Sequence, residues 1–387
     1  MADLWVRGAR LLAPMEESDC LVREGRIAAL GRVLPSAVPH GCPVLDAAGR
    51  YLAPGFIDMH VHGGGGAEFM DAEPEAIRTI AAFHAAHGTT TLCAAIIPAP
   101  VDRMRRAMAA VAEAAEPGIA GLYLEGPFVS PAKKGAFNTR WLRPPSAGAL
   151  RKLVEGYQDL VKVVTFAPER PGADQLLADI LAIGAVPAVG HTAATYEQTM
   201  DAVAHGVCHF THFGNAMSGL HHREPGVVGT ALSSSHTTLE VIADGVHIHP
   251  AVIRLLVEFL AARGQLDRMC LITDAISATG MPDGIYQLGD QEIIARAGEV
   301  RLRDGTLAGS VLTMERAVQN TAAFAGLSPA EAVRLATANP ARTLGLASRK
   351  GELTLGADGD LVLLDDDLAV WATVRAGEVV FSRDGGR

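Results

Sequence analysis

The chain has 387 residues, 49% of them apolar and only 5% aromatic, with a formal net charge of −10. This length can bury a large core, in one big α/β barrel or in two to three domains. The acidic balance argues against nucleic acid as the main partner, because a phosphate backbone needs a basic face.

No run reaches the ~18 apolar residues of a membrane span, so no membrane partner is expected. The first residues carry Asp3, Arg7 and Arg10 where a leader peptide would have an apolar core. The cysteines Cys20, Cys42, Cys93, Cys208 and Cys270 are scattered, with no CxxC spacing. They read as reduced thiols of a cytoplasmic protein, neither a disulfide framework nor a thiolate zinc site.

Residues 1–53 contain short strands, DLWVRGARLL and CLVREGRIAALG, broken by Gly and Asp turns, and are too short for a core of their own. Next comes PGFIDMHVHGGGG, residues 54–66. Residues i and i+2 of a strand share a side, so His60 and His62 face one way, and the glycines after them let the backbone turn sharply. A metal site at a strand end needs this arrangement, although a hydrogen-bonded, inert pair explains two isolated histidines equally well.

Further strand-like runs follow: TTTLCAAIIP, GLYLEG, VKVVTFAP, AVPAVGH, VCHFTHF, TLEVIADG and MCLITDA. Helical patterns separate most of them: PEAIRTIAAFHAAHG, VDRMRRAMAAVAEAAE, SAGALRKLVEGY, ADQLLADILAIG, TYEQTMDAVAHG and HPAVIRLLVEFLAARG, with TMERAVQNTAAFAG last. Eight strands alternating with helices predict a (β/α)8 barrel over 54–345. A doubly wound open sheet is the competing architecture, but it usually carries GxGxxG after its first strand, where this chain has HVHGGGG. IYQLGDQEIIARAGEVRLRDG reads as a β-hairpin inserted before the last helix. Residues 346–387 return to short strands, and together with 1–53 they are expected to form a small β-sandwich domain from both chain ends.

Active sites of such barrels lie at the C-terminal ends of the strands. There the pattern places His60 and His62 (first strand), Glu125 (third), His191 (fifth), His212 (sixth), His247 (after the seventh) and Asp274 (eighth). Each alone reads as a satisfied polar residue; seven converging on one rim read as a metal-dependent hydrolase. Nitrogen and carboxylate ligands without thiolate suit Zn2+ first, with Fe2+, Mn2+ or Co2+ as alternatives. Such a metal lowers the pKa of bound water to about 7 and polarises a carbonyl. Asp274 is placed to take the water proton and return it to a leaving amine. This is amide-hydrolysis chemistry.

The motifs PGFIDMHVHG, LEGPFVSPAKKGAFN, VTFAPE, VGHTAATYEQ, THFGNAMSGLHHREPG, IADGVHIHP, TDAISATG, LAGS and NPARTLGL resemble, almost end to end, the N-acetylglucosamine-6-phosphate deacetylases of the amidohydrolase superfamily. The resemblance implies a primary metal on Glu125, His191 and His212, with His60 and His62 supporting a second, so one or two ions per subunit. It implies Asp274 as the acid/base and Asn215, Ala216 and His247 as contacts to a sugar phosphate. It implies that the loop from Leu307 to Ser310 touches the sugar, and that Arg223 reaches the phosphate from the partner of a homodimer. The implied reaction converts N-acetylglucosamine-6-phosphate to glucosamine-6-phosphate and acetate.

Phe137 departs from that pattern: it stands where the family commonly has a histidine that polarises the amide carbonyl, and phenylalanine cannot donate a hydrogen bond. A different acyl group or hexosamine is therefore an alternative substrate. Cyclic amidohydrolases share the HxH strand, but they bridge two metals with a lysine at the end of the fourth strand. Here Lys162 stands at its start. A non-catalytic sugar-phosphate-binding barrel is the alternative from another class, and it would be expected to have lost ligands that this chain keeps. Lys133 and Lys134 read as a solvated loop, and His209 as structural.

Overall fold

The computed structural model describes residues 2–384. Its centre is an eight-stranded parallel sheet in sequence order: β1 (Phe56–Val61), β2 (Thr89–Ile96), β3 (Ile119–Glu125), β4 (Val161–Phe166), β5 (Val186–Val189), β6 (His209–Phe210), β7 (Thr238–Ile242) and β8 (Met269–Ile272). The barrel closes where Asp274 N donates to His60 O at 3.0 Å and Val61 bridges Ala275. All eight predicted strands are present. Their apolar runs have no polar face because helices cover the outside while side chains fill the inside; β2 is buried at every position.

Helices Pro74–Ala85, Val101–Ala114, Ala173–Ala182, Tyr196–Ala204, Pro250–Ala262 and Met314–Ala325 lie where the periodicity places them. The pattern SAGALRKLVEGY yields only Ala149–Leu153. It is bounded by left-handed Gly148 and Gly156, which limit its run. Three helices have no counterpart in the sequence pattern. Gly226–Ser233 is hidden by its glycine and valine content. Pro329–Leu335 and Ala338–Thr343 are too short for a periodic signal, although Ser328 and Glu331 form a capping box at the first of them.

The inserted hairpin gains a third strand: Gly284–Leu288, Gln291–Arg296 and Glu299–Arg301 form an antiparallel sheet. Trp141 Nε1 and Asn138 Nδ2 donate to Asp290 in its first turn, at 2.8 and 3.0 Å. Glu68 accepts from Gly289 N. The insert is thereby fastened to the loops that follow β1 and β3.

The two chain ends meet in one continuous eight-stranded sheet. Its order is Glu378–Ser382, Val370–Arg375, Leu361–Leu364, Tyr51–Pro54, Leu4–Leu11, Glu17–Arg23 and Arg26–Gly31, with Val44–Asp46 also on Leu4–Leu11. Leu4, Val6, Cys20, Val22, Leu361, Leu363 and Val374 share a separate apolar cluster on one face. Val362, Leu364 and Val370 point the other way into the barrel core.

Candidate metal centre and active-site cavity

Three strands deliver ligand-type side chains by one local device. His191, His212 and Asp274 each stand two residues beyond the last residue of β5, β6 and β8. Each has a positive φ, of 47°, 28° and 52° respectively. Non-glycine residues rarely occupy this region, and such strain persists only where the surroundings over-determine it. The turn swings each side chain from the sheet edge into the barrel mouth, where Glu125, the last residue of β3, meets them.

Two groups result. In the first, Glu125 Oε1 lies 3.0 Å from His191 Nε2 and 2.9 Å from His212 Nε2, and the two Nε2 atoms are 3.0 Å apart. In the second, His62 Nε2 lies 2.9 Å from Asp274 Oδ1 and 3.2 Å from Glu125 Oε2. His60 Nε2 sits 3.6 Å from Glu125 and 3.7 Å from Asp274. All six residues are at most 6% exposed.

The hydrogen bonds test whether these groups fit cations. His191 Nδ1 faces the Lys133 carbonyl at 2.9 Å; a carbonyl only accepts, so Nδ1 carries a proton, and Nε2 is the ring nitrogen that a metal would take, facing Glu125 and His212. Nitrogen lone pairs and a carboxylate oxygen converging within 3.0 Å repel one another unless a cation lies between them. His60 answers the same test. Its Nδ1 donates to Glu240 at 3.1 Å, while its Nε2, fully buried, has no hydrogen-bond partner. Both groups therefore fit a divalent metal: Glu125, His191 and His212 in one, His60, His62 and Asp274 in the other.

The electrostatics agree. Burial works against charge on His62, but Asp274 and Glu125 outweigh it and lift the imidazolium to about 9. Burial likewise opposes charge on Glu125, and the histidines around it hold its carboxyl well below the usual range. The site thus demands positive charge, which a metal supplies.

Glu240, in the middle of β7, has no counterpart among the predicted residues. Its carboxylate accepts from His60 Nδ1, His209 Nε2 and the His212 backbone N–H, at 3.1, 2.9 and 2.9 Å. Burial raises its pKa, but these donors and the charge on His60 bring it below the usual range. His209 is thus part of the support of the centre. A lone glutamate inside the apolar run TLEVI was the available signal. Asp58 was missed as well. It accepts from Thr273 Oγ1 at 2.6 Å beside Asp274, and burial pushes its carboxyl up to about 7. Asp274 is further held by Ser310, whose N–H donates to its carbonyl at 2.8 Å.

Above the centre opens a cavity of about 610 Å³. Of the predicted site residues, His62, Glu125, Phe137, His191, His212, Asn215, Ala216, His247, Asp274 and Leu307 line it, and His60 lies beneath. His247 Nδ1 donates to Asp244 at 2.7 Å, which leaves Nε2 as its free ring nitrogen. Phe137 is buried with its ring 4.5 Å from that of His191. Arg223 is not brought to the cavity: it is exposed, and its guanidinium contacts His222 Nε2 at 2.7 Å. Lys133, Lys134 and Arg301 also line the cavity, each half-buried.

A closed parallel barrel with two carboxylate–imidazole clusters at its mouth is the architecture of a metal-dependent hydrolase. Residues 51–382 match the amidohydrolase family, and the chain belongs to it. Among its relatives, the N-acetylglucosamine-6-phosphate deacetylase of Bacillus subtilis (strain 168) is 36% identical over 93% of this chain and 92% of that one. The N-acetylgalactosamine-6-phosphate deacetylase of Escherichia coli O157:H7 is also 36% identical, over 94% and 96%. A mutant of the N-acetyl-D-glucosamine-6-phosphate deacetylase of Mycobacterium smegmatis, solved in complex with N-acetyl-D-glucosamine-6-phosphate, is 37% identical. It superposes with a TM-score of 0.90 and covers 99% of this chain and 100% of that one.

Proposed function

We propose that this enzyme hydrolyses the N-acyl amide of an amino-sugar 6-phosphate, with N-acetylglucosamine-6-phosphate as substrate and glucosamine-6-phosphate and acetate as products. The observation that carries the reading is the meeting of Glu125, His191 and His212 within 3.0 Å at the floor of a cavity large enough for a phosphorylated sugar. Glu125, His191 and His212 hold the primary metal, Zn2+ by ligand type, and His60 and His62 support a second. A divalent metal there polarises the amide carbonyl and acidifies a water.

Asp274 does the proton transfer. Its carboxylate takes a proton from the attacking water as the C–O bond forms, and delivers it to the amine nitrogen as the C–N bond breaks. The positive φ of Asp274, the Ser310 strap and the Thr273–Asp58 hydrogen bond hold it in place without spending its carboxylate on a backbone partner. Asn215, Ala216 and His247, which line the same cavity, bind the sugar phosphate, and Leu307 packs on the sugar. Arg223 is exposed and does not line its own cavity; its role is to reach the neighbouring site in a homodimer, as the resemblance implies. Five free cysteines are in keeping with a cytoplasmic enzyme, and among the described residues no helix is long and apolar enough to cross a membrane.

A second reading is favoured by Phe137. Its ring covers His191 where a donor to the amide oxygen would act, so the preferred acyl group is one that packs on an aromatic ring. The equal identity to glucosamine- and galactosamine-type relatives leaves the epimer to experiment. Amine release from N-formyl, N-acetyl and larger N-acyl hexosamine phosphates of both epimers, by wild type and Phe137→His, tests both readings. Phe137→His is expected to speed the N-acetyl reaction and slow the bulkier one. A fast N-acetyl reaction that the substitution leaves unchanged would remove Phe137 from the specificity wall. No turnover of any member would sink the deacylase reading.

A further inference from the structure

A protein of net charge −10 that takes a phosphate dianion must offset its own long-range repulsion at the mouth of the site. The residues that follow β3 suit this task. Lys133 and Lys134 both line the cavity and are half-buried. Lys134 Nζ meets the Gly135 carbonyl at 3.1 Å. Among the described residues, no carboxylate lies within 4.0 Å of either ammonium. The third cation of this wall, Arg301, is already engaged: its Nε and Nη2 meet Glu299 at 2.9 and 2.8 Å, and Nη1 donates to the Gly305 carbonyl. Asp304 also lines the cavity, its carboxyl held low by hydrogen bonds from Thr306 and in part by Lys134, so Lys133 and Lys134 against this one carboxylate leave a net positive charge on their side.

The segment is also fixed to the centre. The Lys133 carbonyl accepts from His191 Nδ1 at 2.9 Å, and the Phe137 ring rests on the same imidazole. Gly135 adopts φ +56° where a Cβ would meet His191 Cε1 at 2.9 Å. Side chains at 133 and 134 thus start from a backbone positioned by a metal ligand, and replacing them leaves the carbonyl in place.

We propose that Lys133 and Lys134 draw the phosphate dianion of the substrate into the cavity from within the same chain, independently of any cation supplied by a partner. This rests on the phosphorylated-sugar reading. Charges at a rim act mainly on association and on its salt dependence. The test measures kcat/KM for a phosphorylated N-acyl hexosamine and for its unphosphorylated counterpart. Wild type, Lys133→Met, Lys134→Met and the double variant are compared from about 20 mM to about 0.5 M salt, the range over which screening becomes short. Methionine keeps the apolar stem, and metal analysis of each variant verifies that the centre is intact. On the phosphorylated sugar, wild-type kcat/KM should fall with salt. The double variant should start about tenfold lower, at the low end of steering effects, with a flatter salt slope and a smaller preference for the phosphorylated sugar. A metal-loaded double variant with wild-type kcat/KM and wild-type slope would overturn the role of the lysines alone. A wild type that neither prefers the phosphorylated sugar nor responds to salt would overturn the phosphate reading with it.

Discussion

Glu125 is shared by two ligand groups at the barrel mouth that are held in different ways. In the group of Glu125, His191 and His212, the orienting contact is main chain: the Lys133 carbonyl fixes the tautomer of His191. In the group of His60, His62 and Asp274, it is a buried side chain, Glu240, that fixes His60. A main-chain acceptor survives every substitution at its own position except one that moves the loop, whereas a side-chain acceptor is removed by one. The contact that orients His191 is therefore insensitive to single substitutions, whereas that of His60 depends on one side chain, Glu240, which also accepts from the His212 backbone N–H. Supporting contacts of this kind typically contribute ten- to a hundredfold to metal affinity, so the difference has measurable consequences.

The largest effect is expected from His212→Asn. It removes a ligand of the first group while keeping a residue that tolerates the left-handed turn, so metal content and turnover should both fall to background in a protein with native circular dichroism. A full metal complement by elemental analysis would place the primary ion elsewhere. Asp274→Asn should follow, with kcat lower by about 10²- to 10⁴-fold and the first ion retained; near-normal kcat would give the proton transfer to another group.

Glu240→Gln separates the two groups. Loss of the carboxylate frees His60 Nδ1 but leaves Lys133 and His191 as they are. Affinity at the second group should drop by about 10- to 100-fold while the first changes less, as read by competition titration with a chelator. Equal losses in both would mean that the contact from Glu240 to the His212 backbone N–H matters as much as that to His60. The mildest outcome belongs to His62→Asn, which should lower stoichiometry at the second group and leave turnover within about tenfold of wild type, since its contribution is to a supporting site. Abolished turnover would instead make the two groups one obligatory dinuclear centre.

The barrel was legible because each strand is a short apolar run bounded by turns, and because ligand-type residues recur at the same end of successive runs. His60, His62, Glu125, His191, His212 and Asp274 could be placed at one rim from strand counting alone. What supports them could not. Glu240 and Asp58 read as isolated charges in apolar strands, and only the closed barrel shows that the first serves His60 and His212 at once while the second holds Thr273. Adjacent cations in a loop read as solvent-facing from sequence, and only the fold shows that Lys133 and Lys134 stand where the loop borders the cavity. Helix Gly226–Ser233 was missed for its composition, since propensity is a weak guide where tertiary packing decides.

The terminal sheet constrains how the molecule can be made. Tyr51–Pro54 lies between Leu4–Leu11 and Leu361–Leu364, with Tyr51 paired to Leu364. During synthesis, the strand leading into the barrel therefore leaves the ribosome with one edge open and keeps it open until nearly the whole chain has followed. An exposed edge invites pairing with another chain, and contacts of such long sequence separation form late. The first half of this sheet is thus the segment that a nascent chain most needs shielded. Shortening the C-terminal strands would leave that edge open and also take Val362, Leu364 and Val370 out of the barrel core.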